Sequence, residues 1–259
     1  MGRIIAFANQ KGGVGKTTTC VNMAAYMATL GKKVLIVDLD PQGNATTNLG
    51  FDKTGKQNSL YQVMSGDVEI KNCIYDTKID NLKIIPSNMD LSGIEVELVY
   101  MEKREFVIKK QLEQIKNNYD YITIACPPSL SLLTVNAFAA SDAVIIPVQC
   151  EFFALEGLSQ LMNTIRLVKK KLNDSIVIDG VVLTMRESRS NLGRQVADEI
   201  RKFFATTVFE TQIPRNVRLA EAPSYGEPIC LYDKACGGAK AYLKLTQEYF
   251  DRNNVSYNK

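Results

Sequence analysis

The sequence predicts an α/β fold in which a mostly parallel, twisted sheet carries helices on both faces. Short runs of apolar and β-branched residues alternate along the chain with longer segments of helical periodicity. The short runs are apolar at nearly every position, as expected for strands that are covered on both sides. The chain has 259 residues, of which 46% are hydrophobic, which is enough to bury one large core. We therefore expect a single domain over residues 1–250, followed by a short, polar and frayed tail at 251–259.

The expected elements follow from these runs and periodic segments, taken in chain order. Six strands are expected, at residues 3–8, 33–38, 82–85, 121–125, 143–147 and 176–183. Seven helices are expected, at residues 16–30, 89–101, 104–117, 129–140, 154–171, 191–204 and 238–250.

The connections between these elements indicate where a ligand would bind. Ligands of parallel sheets bind beyond the carboxyl ends of the strands. The loops after the strands at 3–8, 33–38 and 121–125 should therefore converge on one site. Residues 50–80 are more polar and irregular, which predicts a surface excursion rather than a separate domain.

Composition excludes several classes of chemistry. The chain has no histidine, which removes histidine-based catalytic triads and histidine metal sites. Its six cysteines form no C-x-x-C pair, which is typical of reduced, packed thiols in an intracellular protein. The formal net charge of +3, from 31 basic and 28 acidic residues, is too small to indicate a nucleic-acid partner without local clustering.

A glycine-rich loop lies between the first expected strand and the first expected helix. Residues 11–18 read Lys-Gly-Gly-Val-Gly-Lys-Thr-Thr. Glycines allow backbone N–H groups to surround phosphate oxygens, Lys16 adds a positive charge, and the Thr17 hydroxyl can bind Mg²⁺. The usual pattern G-x-x-x-x-G-K-[ST] fails, because Gln10 occupies the first glycine position and Lys11 adds a second lysine. The loop predicts a P-loop NTPase with a deviant Walker A motif.

Two carboxylates follow the second expected strand. Asp38 and Asp40 flank Leu39 at the point where the sheet should open onto the nucleotide. Carboxylates here can hold Mg²⁺ or its waters, or orient an attacking water molecule. A strand-terminal turn is the alternative, but the pairing with the glycine-rich loop favours the catalytic interpretation.

Together, six motifs resemble the ParA/Soj family of ATPases, which segregate bacterial chromosomes and plasmids and are related to the MinD division regulators. The resemblance covers about residues 1–250, and the chromosomal branch fits better than the plasmid branch. The motifs lie at residues 11–18, 38–44, 126–129 (Cys-Pro-Pro-Ser), 147–151 (Pro-Val-Gln-Cys-Glu), 154–157 (Ala-Leu-Glu-Gly) and 213–218 (Ile-Pro-Arg-Asn-Val-Arg).

The resemblance implies ATP and Mg²⁺ as cofactors and roles for several of the motif residues. Lys16 would neutralise the terminal phosphates, Thr17 and Asp38 would serve the metal, and Asp40 would lie by the attacking water. Lys11 would be the signature lysine that reaches the partner's nucleotide across a homodimer interface, as an arginine finger does elsewhere. The loop residues implied in nucleotide binding are Lys11, Gly12, Gly13, Val14, Gly15, Lys16, Thr17 and Thr18. Met185 and Pro214 are the residues that we expect to pack on the base, with ordinary core packing as the alternative for Met185.

Ala125 departs from the family pattern. The family has an aspartate at this Walker B position, before Cys-Pro-Pro, where it holds a Mg²⁺-bound water. A methyl group cannot accept a hydrogen bond from that water, so hydrolysis should slow. Ala125 is either a change made to trap the nucleotide-bound state or a native residue, with Asp38 and Asp40 carrying the metal. The intact remainder of the site favours the first interpretation.

The resemblance also implies partners and a location. Members of the chromosomal branch bind double-stranded DNA non-specifically as ATP dimers, and Arg189 and Arg218 best match the positions of their DNA-binding arginines. The surrounding basic residues include Arg201 and Lys202, for which solvated helix faces are the better interpretation. A ParB-type protein would stimulate hydrolysis, the replication initiator is a further implied partner, and no membrane is involved. The expected location is the cytoplasm, on the nucleoid.

Two other functions remain as alternatives. A MinD-like, membrane-associated division regulator would need a C-terminal amphipathic helix, which residues 251–259 do not provide. An iron protein similar to nitrogenase reductase would need cysteines that bridge a cluster between subunits, and Cys126 lies in a different motif. A DNA-binding assay with and without ATP, at two salt concentrations, separates the chromosome-partitioning hypothesis from these two alternatives.

Overall fold

The computed structural model describes residues 2–187 and 190–258 of the chain. Across these residues, one seven-stranded sheet has the order β3-β4-β2-β5-β1-β6-β7. Strand β3 is antiparallel to β4, and every other neighbouring pair is parallel. The strands are β1 (Arg3–Phe7), β2 (Val34–Asp38), β3 (Tyr75–Asp76), β4 (Leu82–Ile85), β5 (Tyr121–Ala125), β6 (Ala143–Gln149) and β7 (Val177–Thr184). The predicted fold class is confirmed.

Eleven α-helices lie in the same described ranges. They are α1 (Lys16–Thr29), α2 (Asn44–Asn48), α3 (Leu60–Ser65), α4 (Leu91–Leu98), α5 (Val107–Glu113), α6 (Leu132–Ala140), α7 (Ala154–Lys171), α8 (Asn191–Phe204), α9 (Val217–Glu221), α10 (Ile229–Tyr232) and α11 (Gly237–Arg252). None of these helices is both long enough and apolar enough to cross a bilayer.

The sheet separates two hydrophobic cores. Alternate side chains of a strand point to opposite faces, so Ile4 and Ala6 of β1 enter one core while Ile5 and Phe7 enter the other. Helices α3 to α8 cover the first core, and α1, α10 and α11 cover the second. This two-sided burial explains why the strands are apolar at nearly every position.

The six expected strands and seven expected helices are all present. The differences are at their ends: α4, α5 and α6 begin two or three residues later than expected, and β6 extends to Gln149. The sequence did not predict α2, α3, α9, α10 or β3. Each of these elements has six residues or fewer, which is too short to display a helical or strand period.

Residues 50–80 are more than the surface excursion that the sequence predicted. They contain α3 and β3, and Leu60, Val63, Ile70 and Cys73 are all buried in the first core. Helix α3 also begins with a capping box, in which the Gln62 side chain accepts the Ser59 N–H at 2.8 Å. The apolar residues that serve this packing are spaced too irregularly to reveal it in the sequence.

The composition of the polar tail after α11 predicted a frayed segment. In the structure, the tail instead folds back on the second core. The rings of Tyr257 and Phe250 lie 5.3 Å apart between their centroids. The Asn258 N–H donates to the carbonyl of Leu30 at 3.2 Å. Val255 packs against the same core, so two apolar or aromatic side chains and these backbone contacts fix the tail.

Candidate nucleotide-binding site

The sheet order brings the expected loops together. Strand β1 lies between β5 and β6, and β2 lies on the far side of β5. Because these strands are parallel, the segments that follow them meet at one edge of the sheet. The candidate site lies at this edge, in front of the amino end of α1.

The segment from Asn9 to Thr18, here called the phosphate loop, has a backbone that requires glycine. Gly13 and Gly15 have φ values of 73° and 84°, which side chains rarely adopt. Gly15 precedes the first residue of α1, and its carbonyl accepts the Thr19 N–H at 2.9 Å. The Thr184 hydroxyl, at the end of β7, donates to the Val14 carbonyl at 2.8 Å. The loop is therefore held open in front of a helix amino end, where anions bind favourably.

The charged side chain of Lys16 is buried. The residue is 6% exposed, and its Nζ donates to the Lys11 carbonyl at 3.0 Å. Burial lowers the pKa of Lys16, an effect that the nearby Cys126 and Asp40 side chains oppose. A buried ammonium that contacts a backbone carbonyl is well placed to receive phosphate oxygens. Lys16, the glycines and Thr17, the second residue of α1, thus fit a nucleotide with its Mg²⁺.

Asp38 and Asp40 are both buried, with different surroundings. Asp38 Oδ2 accepts the Thr46 N–H and the Thr46 hydroxyl, each at 2.8 Å. The Thr46 Oγ1 in turn accepts the Ser87 N–H at 2.9 Å. Burial raises the pKa of Asp38 to about 6, and these hydrogen bonds oppose the shift. The Asp38 carboxylate thereby joins β2 to α2 and to the segment after β4, and its expected place near the metal stays a prediction.

Asp40 has a different set of neighbours. Its Oδ1 accepts the Gln42 N–H at 3.0 Å, and the residue is 5% exposed. Burial raises the pKa of Asp40, while Lys16 and Lys53 lower it through their charges. The charge of Lys16 therefore acts on this carboxylate, and the expected place of Asp40 by the attacking water stays a prediction.

Ala125 is the last residue of β5, which lies between β2 and β1. It is opposite Phe7 of β1 and Asp38 of β2 in the strand pairing, and its carbonyl accepts the Leu39 N–H at 3.0 Å. The methyl group is buried with the second core. An aspartate at this position would extend from the end of β5, beside Asp38 at the end of β2 and Phe7 at the end of β1, which leads into the phosphate loop.

A cavity of about 260 Å³ lies beside the phosphate loop. It brings Met185 and Pro214 together with Gly15, as expected for a pocket that receives the base. The Arg186 N–H donates to the Ile213 carbonyl at 2.9 Å, which holds the two segments side by side. Thr18, Thr184, Ile213, Arg215 and Asn216 also line the cavity and lie in segments that the sequence had singled out. The sequence did not reveal the remaining lining residues, which are Leu219, Ala220 and Tyr242. Base packing by Met185 and Pro214 stays a prediction.

Lys11 differs from Lys16 in its exposure. Its side chain is 37% exposed, and its Nζ forms an ion pair with Glu151, in the turn between β6 and α7. The Lys11 N–H donates to Asn9 Oδ1 at 3.0 Å. The sequence singled out the motif that contains Glu151 but not this contact, because residues 140 apart reveal a contact only through the fold.

The expected DNA-binding arginines are only partly described. Arg189 lies outside the residues that the structure describes. Arg218 is on α9, half exposed, and pairs with Glu221 at 3.0 Å and Asp233 at 3.6 Å. Arg201 and Lys202 pair with carboxylates on their own helix, which agrees with solvated helix faces.

A parallel sheet with this loop and a buried lysine at its carboxyl edge defines a P-loop nucleotide-binding protein. A family model described as AAA domain matches residues 2–178. The sporulation initiation inhibitor protein Soj of Bacillus subtilis is 56% identical over 248 residues, covering 96% of this chain and 98% of its own. The chromosome partitioning protein ParA of Caulobacter vibrioides is 49% identical over 252 residues, covering 96% and 94%. The chain belongs to the Soj/ParA family of chromosome-partitioning ATPases.

Solved structures agree with this assignment. Cobyrinic acid a,c-diamide synthase from Mycobacterium smegmatis, with bound ADP and magnesium, is 32% identical with a TM-score of 0.85, covering 100% of this chain and 99% of its own. The cell division ATPase MinD of Pyrococcus furiosus is 27% identical with a TM-score of 0.80, covering 97% and 99%. The McdA(D38A)–ATP complex from Cyanothece, at 21% identity and a TM-score of 0.88 over 98% and 97%, supports the fold alone.

Thr46 provides a test of the buried acidic network. Thr46→Val removes the hydroxyl that donates to Asp38 and leaves that buried carboxylate with one hydrogen bond fewer. We expect the free energy of unfolding, measured by urea denaturation without nucleotide, to fall by about 1–3 kcal/mol.

Thr47→Val is the matched control, because Thr47 is on the same helix but exposed, with its hydroxyl on the Gly43 carbonyl. Its effect should stay within about 0.5 kcal/mol. Equal losses in the two variants would contradict a special role for the Asp38 network.

Proposed function

We propose that this protein is an ATP-dependent dimerisation switch that binds DNA without sequence preference and acts in segregating chromosome origins. Two subunits would join face to face over two ATP molecules, and the dimer would bind the nucleoid in the cytoplasm. A ParB-type protein would stimulate hydrolysis and release the dimer, and the replication initiator would be a second protein under its control. Family membership supports this cycle.

The observation that carries the proposal is the different placement of two lysines in one loop. Lys16 is buried at the amino end of α1, where it serves the nucleotide of its own subunit. Lys11 lies at the mouth of the site with its side chain at the surface. A surface lysine beside the phosphates can reach a nucleotide bound by a second subunit. A charge supplied in this way would make phosphate chemistry depend on dimerisation.

DNA binding is proposed for the arginines near the base pocket. Dimerisation would place two copies of this region on one particle, so a chain with a small net charge could still present a basic surface. Arg218 is held by Glu221 and Asp233, and phosphate oxygens would have to replace these carboxylates. Bidentate arginine contacts to phosphate carry no sequence information, which fits a non-specific binder.

The proposal predicts that DNA binding requires ATP and weakens with salt. Fluorescence anisotropy with a labelled duplex, at 50 and 200 mM salt, should show strong binding only with Mg²⁺-ATP. Arg218→Ala should reduce the slope of log affinity against log salt by about one unit for each phosphate contact removed.

Arg166→Ala is the control for this measurement, since Arg166 is an exposed arginine on α7 and is not one of the proposed DNA-binding arginines. Binding that is equal with and without ATP, or insensitive to salt, would contradict the proposal.

The proposal also includes slow hydrolysis, because Ala125 cannot hold a Mg²⁺-bound water. Ala125→Asp should raise the rate of phosphate release from ATP by about 10- to 100-fold, the usual effect of a group that orients a metal's ligands. Ala125→Asn has nearly the same shape but no charge and should give a much smaller increase. An unchanged rate in Ala125→Asp would show that Asp38 and Asp40 already suffice.

A further inference from the structure

The ion pair between Lys11 and Glu151 joins the phosphate loop to the turn after β6. Lys11 Nζ contacts Glu151 Oε2, and the two side chains are 37% and 48% exposed. The proposed function requires Lys11 to reach a second subunit. Within one subunit, however, this lysine is already engaged.

Both partners of this ion pair are held by their backbones. The Glu151 N–H donates to the Gln149 carbonyl at 2.9 Å, and its carbonyl accepts the Ala154 N–H at 2.9 Å. On the other side, Asn9 accepts the Lys11 N–H and donates its amide to the Pro147 carbonyl at 2.8 Å. The contact therefore arises from the attachment of the phosphate loop to β6, and not from a chance meeting of two mobile side chains.

A polyphosphate would act on this ion pair in two ways. It would attract the Lys11 ammonium. The backbone carbonyl of Lys11 already accepts a hydrogen bond from Lys16 Nζ at 3.0 Å. It would also repel the Glu151 carboxylate, which has the same sign of charge. An exposed ion pair is weak, equivalent to about a two- to fivefold change in an equilibrium constant, so a bound triphosphate can break it.

We propose that Glu151 is a positioning residue that holds Lys11 within its own subunit until ATP binds. Release of Lys11 then makes the lysine available to the partner, so Glu151 sets the ATP concentration at which two subunits join. This inference rests on the proposed dimerisation and adds a residue that disfavours dimerisation of the nucleotide-free protein.

Dimerisation as a function of ATP concentration tests the proposal. Sedimentation velocity with Mg²⁺-ATP should give Glu151→Gln a midpoint about two- to fivefold below that of the unchanged chain, because the competing contact is lost. Glu156→Gln is the matched control, because this substitution removes the same charge from an exposed residue in the first turn of α7. Its midpoint should match that of the unchanged chain. An equal or higher midpoint for Glu151→Gln would overturn the proposal.

A second measurement does not depend on dimerisation. A water-soluble carbodiimide joins amines and carboxylates in direct contact, and mass spectrometry of the digested protein identifies the product. Without nucleotide, the Lys11–Glu151 link should form, and Mg²⁺-ATP should suppress it. The Lys116–Asp142 pair, at 2.9 Å, is the internal control and should react equally in both conditions.

The two measurements separate the inference from the proposed function. If the unchanged chain stays monomeric with ATP, the proposed function fails, and the cross-link still decides whether Glu151 holds Lys11 against ATP. If the Lys11–Glu151 link is absent, or forms equally with ATP, Glu151 does not have this role.

Discussion

Lys16 brings an ammonium group into the protein at a place where two effects oppose a positive charge. Burial removes its water, and the amino end of α1 adds the positive end of a helix dipole. Its hydrogen bond is to the neutral carbonyl of Lys11, with Asp40 contributing at longer range. An anion in front of the loop relieves both effects at once. The glycine backbone of the loop and the contact from Thr184 serve to keep this position open.

The remaining groups fall into a buried half and an exposed half around this charge. The buried half consists of Asp38, Thr46 and the Ser87 N–H, whose hydrogen bonds connect β2, α2 and the end of β4. Such a connected set resists movement. The exposed half consists of Lys11 and Glu151 at the surface. An exposed ion pair is easily exchanged for another partner, which suits a contact that changes during a cycle.

The sequence was sufficient for the sheet and the long helices, and it singled out the loop and the carboxylates that the fold brings to one edge of the sheet. Strands and long helices leave a periodic signal, and the loop, Asp38 and Asp40 have residue types that chemistry requires in that order. It was not sufficient for the contacts between them. The contact of Thr46 with Asp38 and the contact of Glu151 with Lys11 depend on how distant segments align in the fold. A single sequence contains no trace of that alignment. Leu219, Ala220 and Tyr242 of the cavity beside the phosphate loop escaped prediction for the same reason, whereas helix α9 is too short to show a helical period.

The central claim is that Lys11 serves the partner's nucleotide while Lys16 serves its own, and the mass of the protein in solution tests it most directly. Sedimentation equilibrium with Mg²⁺-ATP should give twice the monomer mass of 28.8 kDa for the unchanged chain. Lys11→Gln should remain at the monomer mass while still binding ATP, as measured by equilibrium dialysis. A Lys11→Gln protein that dimerises as readily as the unchanged chain would contradict the account.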